Sequence, residues 1–217
     1  MTTSHINILH ADPRRLLVAI DTPDCHLFVA SLHVPLCYSR DPSTDPMKSV
    51  QSWWITTQRI CAQKSKGFGQ NNIFTDANAS VGSFRSRDLG GEGLGTISPH
   101  VTPFVRYIDA LCFQAPATWR SFQQSATTRF TFRSSENGRH QTIDYVLCSS
   151  SVFPVQKSAR AWTDFETDCR RPDHYPVVLQ LHLSRTQSRP PTVRCVAPYD
   201  DTAVGNPAKY RSFHEAL

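Results

Sequence analysis

The sequence lacks any long apolar run, and this absence excludes several classes of protein. No stretch of its 217 residues approaches the roughly 20 apolar residues that span a bilayer, and the start, MTTSHINILHADPRR, has no apolar signal-peptide core. The seven cysteines are scattered and include no Cys-x-x-Cys pair, which favours reduced thiols over a disulfide framework or a zinc site. We therefore expect an intracellular protein, nuclear or cytoplasmic, with no membrane partner.

A dense basic block is also missing, and so are internal repeats. The formal charge of +5 favours a polyanionic partner such as nucleic acid, but the basic residues form only short clusters such as SFRSR at 83–87. The glycines of LGGEGLG at 89–95 are spaced too loosely for a nucleotide-binding loop. A hydrophobic content of 39%, with four Trp and twelve Phe, nevertheless predicts a folded domain with a sizeable core.

Strand patterns and helix patterns alternate along the chain. Apolar runs predict a hairpin over 15–35, a short buried strand in NNIFTDANASVG, a hairpin around Asn137-Gly138, and strands in SVFPVQKSARAW and YPVVLQLHL. Helical spacing predicts helices over 46–62 and 100–112. One face of the first helix is expected to hold Val50, Trp54, Ile55 and either Ile60 or Cys61. We expect one domain over 1–184, followed over 185–217 by a Pro-rich linker and a short helical tail.

Polar residues collect at the strand ends, and each has an ordinary explanation. FTDANA can be an Asx turn, SLHVPL can hold a buried core histidine, the acid of TIDYVLCS can pair with Arg139 or His140, and PDH can be a polar turn. Together they offer carboxylates for Mg²⁺ and water, an amide to orient the nucleophile, and imidazoles to neutralise a phosphate. The candidate residues are His33, Asp76, Asn78, Asp144, Asp173 and His174.

In this order the motifs resemble the endonuclease/exonuclease/phosphatase family. NNIFTDANASVG is similar to its Gly-Asp-x-Asn strand, TIDYVLCS to its Ile-Asp-Tyr strand, and PDHYPVVLQL to its Ser-Asp-His motif, so that the resemblance covers about residues 14–184. ATWRS and the tail most resemble the endonuclease domains of non-LTR retrotransposons. The resemblance implies an α+β protein, a four-layer αββα sandwich of two mainly antiparallel sheets with helices outside.

The resemblance also implies roles for the candidate residues. Asp144 would orient His174, which contacts the scissile phosphate, and Asp76 would activate or position the attacking water. Asn78 would orient water and phosphate, Asp173 would help to hold Mg²⁺ (or Mn²⁺), and His33 would touch a phosphate oxygen. The implied function is a metal-dependent hydrolase, an endonuclease of retroelement type. Its partner is nucleic acid, with DNA the first expectation, and further polyprotein domains can accompany it.

Three features depart from the family pattern. Thr75 stands where the family has Gly and Pro172 where it has Ser, while the N-terminal strands that carry the family's first Asn and its metal-ligating Glu have no counterpart. Glu92, Glu136 and Glu166 lie too late in the chain to supply that ligand. We therefore expect an N-terminally truncated sandwich, a fragment or degenerate member, with exposed apolar surface and weak or no activity. The alternatives are a non-catalytic nucleic-acid-binding or scaffold protein and, within the family, a phosphomonoesterase.

Overall fold

A computed structural model describes residues 5–35, 45–125, 129–165 and 173–183. In chain order the elements are β1 (His5–Asp12), β2 (Arg15–Asp21), β3 (His26–His33), α1 (Pro46–Lys64), β4 (Gln70–Asp76), α2 (Val101–Leu111), β5 (Phe113–Gln114), a 3₁₀ turn (Pro116–Thr118), β6 (Phe132–Arg133), β7 (His140–Gln141), β8 (Asp144–Ser149), β9 (Phe153–Pro154), β10 (Arg160–Ala161), β11 (Val177–Val178) and β12 (Leu181–His182). The α+β class is confirmed. Pro172, Glu166 and the expected linker and tail over 185–217 lie outside the described residues.

One six-stranded sheet organises the domain, in the order β1-β2-β3-β4-β8-β5. Its neighbouring strands are antiparallel except for β3 and β4, and α1 provides the crossover that this parallel pair requires. The hairpin predicted over 15–35 is confirmed as β2 and β3. Strand β1 was not predicted, although the alternation of Ile6 and Ile8 with polar residues is a strand signal.

Both α-helices were predicted at the right places. Helix α1 begins where Asp45 accepts a hydrogen bond from the Met47 backbone N–H at 3.0 Å, as expected for an N-cap. Its buried residues include Val50, Trp54 and Cys61, but the expectation that Ile55 shares this face is wrong, since Ile55 is 51% exposed. One residue advances about 100° around a helix, which turns Ile55 away from the row that Trp54 occupies.

Aromatic rings join the helices to one face of the sheet. The Trp54 ring lies 5.4 Å from that of Phe104 and 4.6 Å from that of Tyr107, and the Phe104 ring lies 5.0 Å from that of Tyr145 on β8. Apolar residues of the central strands complete this core: Leu17, Phe28, Ala30, Leu32, Ile73 and Leu147. Among the described residues, no helix has both the length and the apolar character needed to cross a membrane.

Short antiparallel pairs form a second β layer: β6 with β7, β9 with β12, and β10 with β11. Strand β11 lies near β8, whose Val146 and Cys148 are buried on this side. The mainly antiparallel character of the sheets is confirmed. The two long strands predicted over 151–162 and 175–183 are each divided, and Lys157 turns the first of them with a left-handed φ of 57°.

The rest of this sheet face is open and apolar. Ile6, Ile8, Leu16 and Phe74 are 62%, 64%, 44% and 45% exposed, and register pairs Ile8 with Val18, so both project on the same side. We call this surface over β1 to β4 the open face. Exposed apolar surface was expected, and the exposure of Ile6, Ile8, Leu16 and Phe74 confirms this expectation.

The described cysteines are free thiols: Cys25, Cys61, Cys112 and Cys148. The other three cysteines, Cys37, Cys169 and Cys195, lie outside the described residues.

Candidate active site

Three strand ends meet at one end of the open face. Strand β3 ends at His33, β4 ends at Asp76, and β8 begins at Asp144. The register pairs His33 with Asp76 and Asp76 with Asp144. Because directly opposed residues project on the same side of a sheet, with Cβ atoms about 5 Å apart, the three side chains form one row.

His174 closes this row from the second layer. Its Nδ1 lies 3.2 Å and 3.1 Å from the two carboxylate oxygens of Asp144, so the contact predicted between these residues is present. His140, one alternative partner of Asp144, stacks on Phe130 instead. The hydrogen bond that the His174 ring donates to the Asp144 carboxylate raises the pKa of His174 against the opposing effect of burial, and this favours the imidazolium form.

Two neighbouring residues fix this carboxylate–histidine pair, and neither was predicted. The Thr131 hydroxyl accepts hydrogen bonds from the backbone N–H groups of Ile143 and Asp144, both at 3.0 Å, and Thr131 is buried. Phe132 forms a β-bridge with His174, and its ring contacts the imidazole edge to face at 5.0 Å. Both contacts join segments distant in sequence, so TTRFTFR by itself gives no signal for them.

Asp76 has a raised pKa because its carboxylate is partly buried beside a second carboxylate. Burial raises its pKa, and the negative charge of Asp144 raises it further, while the Asn78 N–H and the positive charges of His174 and His33 act in the opposite direction. His33 lies at the rim, as expected, with its Nε2 3.5 Å from an Asp76 oxygen and its side chain 57% exposed. The raised pKa of Asp76 therefore reflects burial and the neighbouring Asp144 charge, which the nearby positive charges do not fully offset.

Asn78 holds the loop that follows β4. Its backbone is left-handed, with φ of 47°, and its N–H donates to the Asp76 carboxylate at 3.1 Å, an Asx turn of the kind that the sequence allowed. Its side-chain amide donates to the Val34 carbonyl at 2.7 Å, which ties this loop to the end of β3. The amide thus positions the loop, and the predicted contact with water or phosphate stays a prediction.

Tyr145 holds the same loop by hydrogen bonds from the helix-covered face of the sheet, where its ring contacts Phe104. Its hydroxyl lies 2.6 Å from the Thr142 carbonyl and 3.0 Å from the Ala79 carbonyl, and it accepts from the Val81 N–H at 3.2 Å. Burial raises the pKa of this phenol above its ordinary value, so it stays neutral and can donate. The residue after Asp144 therefore connects the Asp76 loop to the start of β8.

Asp173 lies beside the site without joining its centre. Its side chain is exposed and accepts a hydrogen bond from the His174 N–H at 3.0 Å. One oxygen or nitrogen atom from each of Asp76, Asp144 and His174 lies within 4.8 Å of the others, and Asp173 is not part of this group. Its predicted role as a metal ligand stays a prediction.

The group fits a divalent metal ion through its two carboxylates. Hard cations prefer oxygen ligands and can be held by one or two carboxylates and water, which the pairing of Asp76 with Asp144 offers. A cation there would relieve the repulsion that raises the pKa of Asp76. The Nδ1 atom of His174 is engaged by Asp144, so the imidazole is better suited to contact an anion.

Solved structures share this architecture at low sequence identity. The endonuclease domain of TRAS1, a telomere-specific non-LTR retrotransposon, superposes with a TM-score of 0.55 and 12% identity over 84% of this chain and 70% of its own. The 3'-5' exonuclease NExo from Neisseria meningitidis superposes with a TM-score of 0.55 and 16% identity, over 82% of this chain and 70% of its own. An endonuclease/exonuclease/phosphatase family protein from Bacteroides thetaiotaomicron superposes with a TM-score of 0.50 and 12% identity, over 82% of this chain and 66% of its own.

The chain has the endonuclease/exonuclease/phosphatase fold. No protein-family model matches the sequence, and comparison with curated proteins gives no match.

Among the described residues, no glutamate joins the group formed by Asp76, Asp144 and His174. Glu92 pairs with Arg85 and Arg129 at 3.6 Å and 3.5 Å, and Glu136 lies in the exposed turn between β6 and β7. Thr75, where the resemblance expects Gly, is buried within β4. The site therefore offers two carboxylates and one imidazole at its centre.

Proposed function

We propose that this protein is a metal-dependent phosphodiesterase that acts on nucleic acid, an endonuclease of retroelement type. The observation that carries the proposal is the carboxylate–histidine pair beside a second carboxylate, at the strand ends of a fold shared with nucleases. The TRAS1 domain, an endonuclease by its name, supports the retroelement assignment, and NExo, named as bound to a DNA hairpin, supports DNA as the substrate.

His174 would bind the scissile phosphate. Asp144 engages its Nδ1, which leaves Nε2 to donate a hydrogen bond to a phosphate oxygen, and the raised pKa favours the charged donor that such a contact needs. His33, exposed at the rim and next to Asp76, would contact a second phosphate oxygen.

Asp76 would position the attacking water and accept its proton. Burial is the largest cause of its raised pKa, and it makes the carboxylate a better base than an ordinary aspartate. Asn78 holds this carboxylate through its backbone N–H and would orient the water and phosphate through its side chain.

A Mg²⁺ or Mn²⁺ ion would be held by Asp76 and Asp144, with Asp173 as the predicted further ligand. When bound, the ion would supply charge for the phosphoryl oxygens and lower the pKa of its water. Mg²⁺ loses water reluctantly and relies on its carboxylates, so a site with two central carboxylates should bind it weakly. We therefore expect low activity.

Nicking of supercoiled plasmid DNA in Mg²⁺ or Mn²⁺ tests the proposal. The wild-type chain should nick slowly, chelation should stop the reaction, and His174→Ala should abolish it. His182→Ala, an exposed histidine on β12, is the matched control and should nick like wild type. Nicking that survives His174→Ala or chelation contradicts the proposal.

The small number of central carboxylates favours a second candidate, a non-catalytic nucleic-acid-binding protein on the same fold. This candidate predicts DNA binding that weakens steeply with salt, unchanged by chelation, and no nicking in either metal. The absence of nicking combined with such binding would favour it over the nuclease.

A further inference from the structure

A cationic cleft lies outside the carboxylate–histidine site. Its volume is about 430 Å³, and among the described residues that line it three cationic side chains, Arg120, Arg129 and Lys157, face one carboxylate, that of Glu92. The remaining lining residues are polar and uncharged: Gln123, Gln124 and Ser125. Such a lining suits an anion with several hydrogen-bond acceptors.

The walls of this cationic cleft are fixed by hydrogen bonds between two segments. The Ser121 and Phe122 carbonyls accept from the Lys157 and Ala159 N–H groups at 3.1 Å and 2.8 Å. Lys157 has a left-handed φ of 57°, unusual for a residue with a side chain, and its ammonium donates to the Arg120 carbonyl at 3.0 Å. The backbone thus holds the Lys157 charge at the cleft.

Arg129 provides a further observation. Glu92 contacts its Nη1 at 3.5 Å, but its Nε is buried and has no hydrogen-bond partner among the described residues. The Nε atom is too deeply buried for an anion to reach, but the Arg129 side chain as a whole is 28% exposed, so its outer N–H groups can donate to an acceptor oxygen of a bound anion.

The same segment reaches the candidate active site. The Arg129 carbonyl accepts a hydrogen bond from Thr142 at 2.7 Å, and Thr131, two residues further, accepts from the Asp144 N–H. Two extended residues span about 7 Å, so the cleft begins within a short distance of the pair that would hold the scissile phosphate.

We propose that the cationic cleft binds a backbone phosphate of the substrate strand, next to or near the phosphate held by His174. This proposal rests on the proposed function, because it takes the substrate to be nucleic acid. The cleft would be a specific anion contact on a protein whose formal net charge is +5. The nucleic-acid strand would then run from the ends of β3 and β4, along residues 129–131, to Lys157.

Fluorescence anisotropy of a labelled single-stranded DNA, with EDTA present to prevent cleavage, tests the cleft. The double variant Arg120→Gln/Lys157→Gln should bind on the order of tenfold more weakly at low salt, equally for unrelated sequences. Its plot of log affinity against log salt should be shallower by about 0.7 for each lost phosphate contact. Arg106→Gln, which removes an exposed charge from α2, is the matched control and should bind like wild type.

Equal affinities and equal salt slopes in the double variant and the Arg106→Gln control would overturn the proposal. So would an absence of DNA binding by the wild-type chain. Circular dichroism confirms that each variant is folded. If the double variant loses binding while wild type fails to nick in any metal, the cleft proposal stands and the catalytic proposal fails.

Discussion

Replacing Asp144 with Asn should lower the pKa of His174 and alter stability in a pH-dependent way. The wild-type carboxylate contacts Nδ1 of His174 through both oxygens, and this hydrogen bond is the largest cause of the raised pKa. A hydrogen bond to a charged group contributes about 1.5–3 kcal/mol. Because the His174 side chain is 39% exposed, solvent screening reduces this to about 1 kcal/mol.

The direction of the pH dependence of stability follows from the linkage between protonation and folding. A histidine whose folded pKa is raised contributes stability that is fully present below its unfolded pKa, about 6.5, and is lost as pH rises through the folded pKa. The substitution also removes the negative charge that raises the pKa of Asp76, which favours folding at neutral and high pH. Asp144→Asn should therefore destabilise the protein by about 1 kcal/mol at pH 5.5 and by much less, or not at all, at pH 9.

Urea unfolding at the two pH values and NMR titration of the His174 ring measure these effects. Asp164→Asn, at an exposed position after β10, is the control for loss of one carboxylate and should change neither the stability nor the His174 pKa. An unchanged His174 pKa in Asp144→Asn, or an equal loss of stability at both pH values, would refute the reasoning.

Three further predictions concern the loop anchor, the metal and the open face. Tyr145→Phe should cost about 2 kcal/mol in urea unfolding, because the buried Val81 N–H loses its acceptor, and a cost near zero would contradict the anchoring role. Mg²⁺ at ten times its dissociation constant should stabilise the wild type by about 1.4 kcal/mol, seen as a higher melting temperature. Asp76→Asn should abolish this shift while raising the melting temperature of the metal-free protein at pH 8, because burial and the Asp144 charge make the ionised Asp76 carboxylate unfavourable in the folded state. Ile8→Lys should reduce aggregation and the binding of a hydrophobic dye, because Ile8 is 64% exposed on the open face. Its free energy of unfolding should change by about 0.5 kcal/mol or less. Unchanged aggregation would argue against the open face as the cause of aggregation.

The sequence determined the elements that depend on local spacing. Asp45 and Pro46 begin α1 because a side-chain oxygen there can cap the first turn, and Asn137-Gly138 turns the chain because glycine accepts the left-handed φ of 66° that Gly138 adopts. Asp144 was found because a carboxylate within an apolar strand requires a partner, and Asp76 because it ends a predicted strand two residues before Asn78, so that both side chains project on the same side.

Contacts between distant segments were decided only by the tertiary structure. The residues alone left Arg139 and His140 open as partners of Asp144, and the family resemblance implied His174. The structure shows the His174 contact, which depends on where β8 and the segment at His174 meet. The Thr131 and Phe132 contacts that fix the pair, and the convergence of Arg120, Arg129 and Lys157 on one cleft, join residues that no sequence period connects. Sequence spacing specifies which face of its own element a residue occupies, whereas the neighbour it meets there depends on how the elements pack.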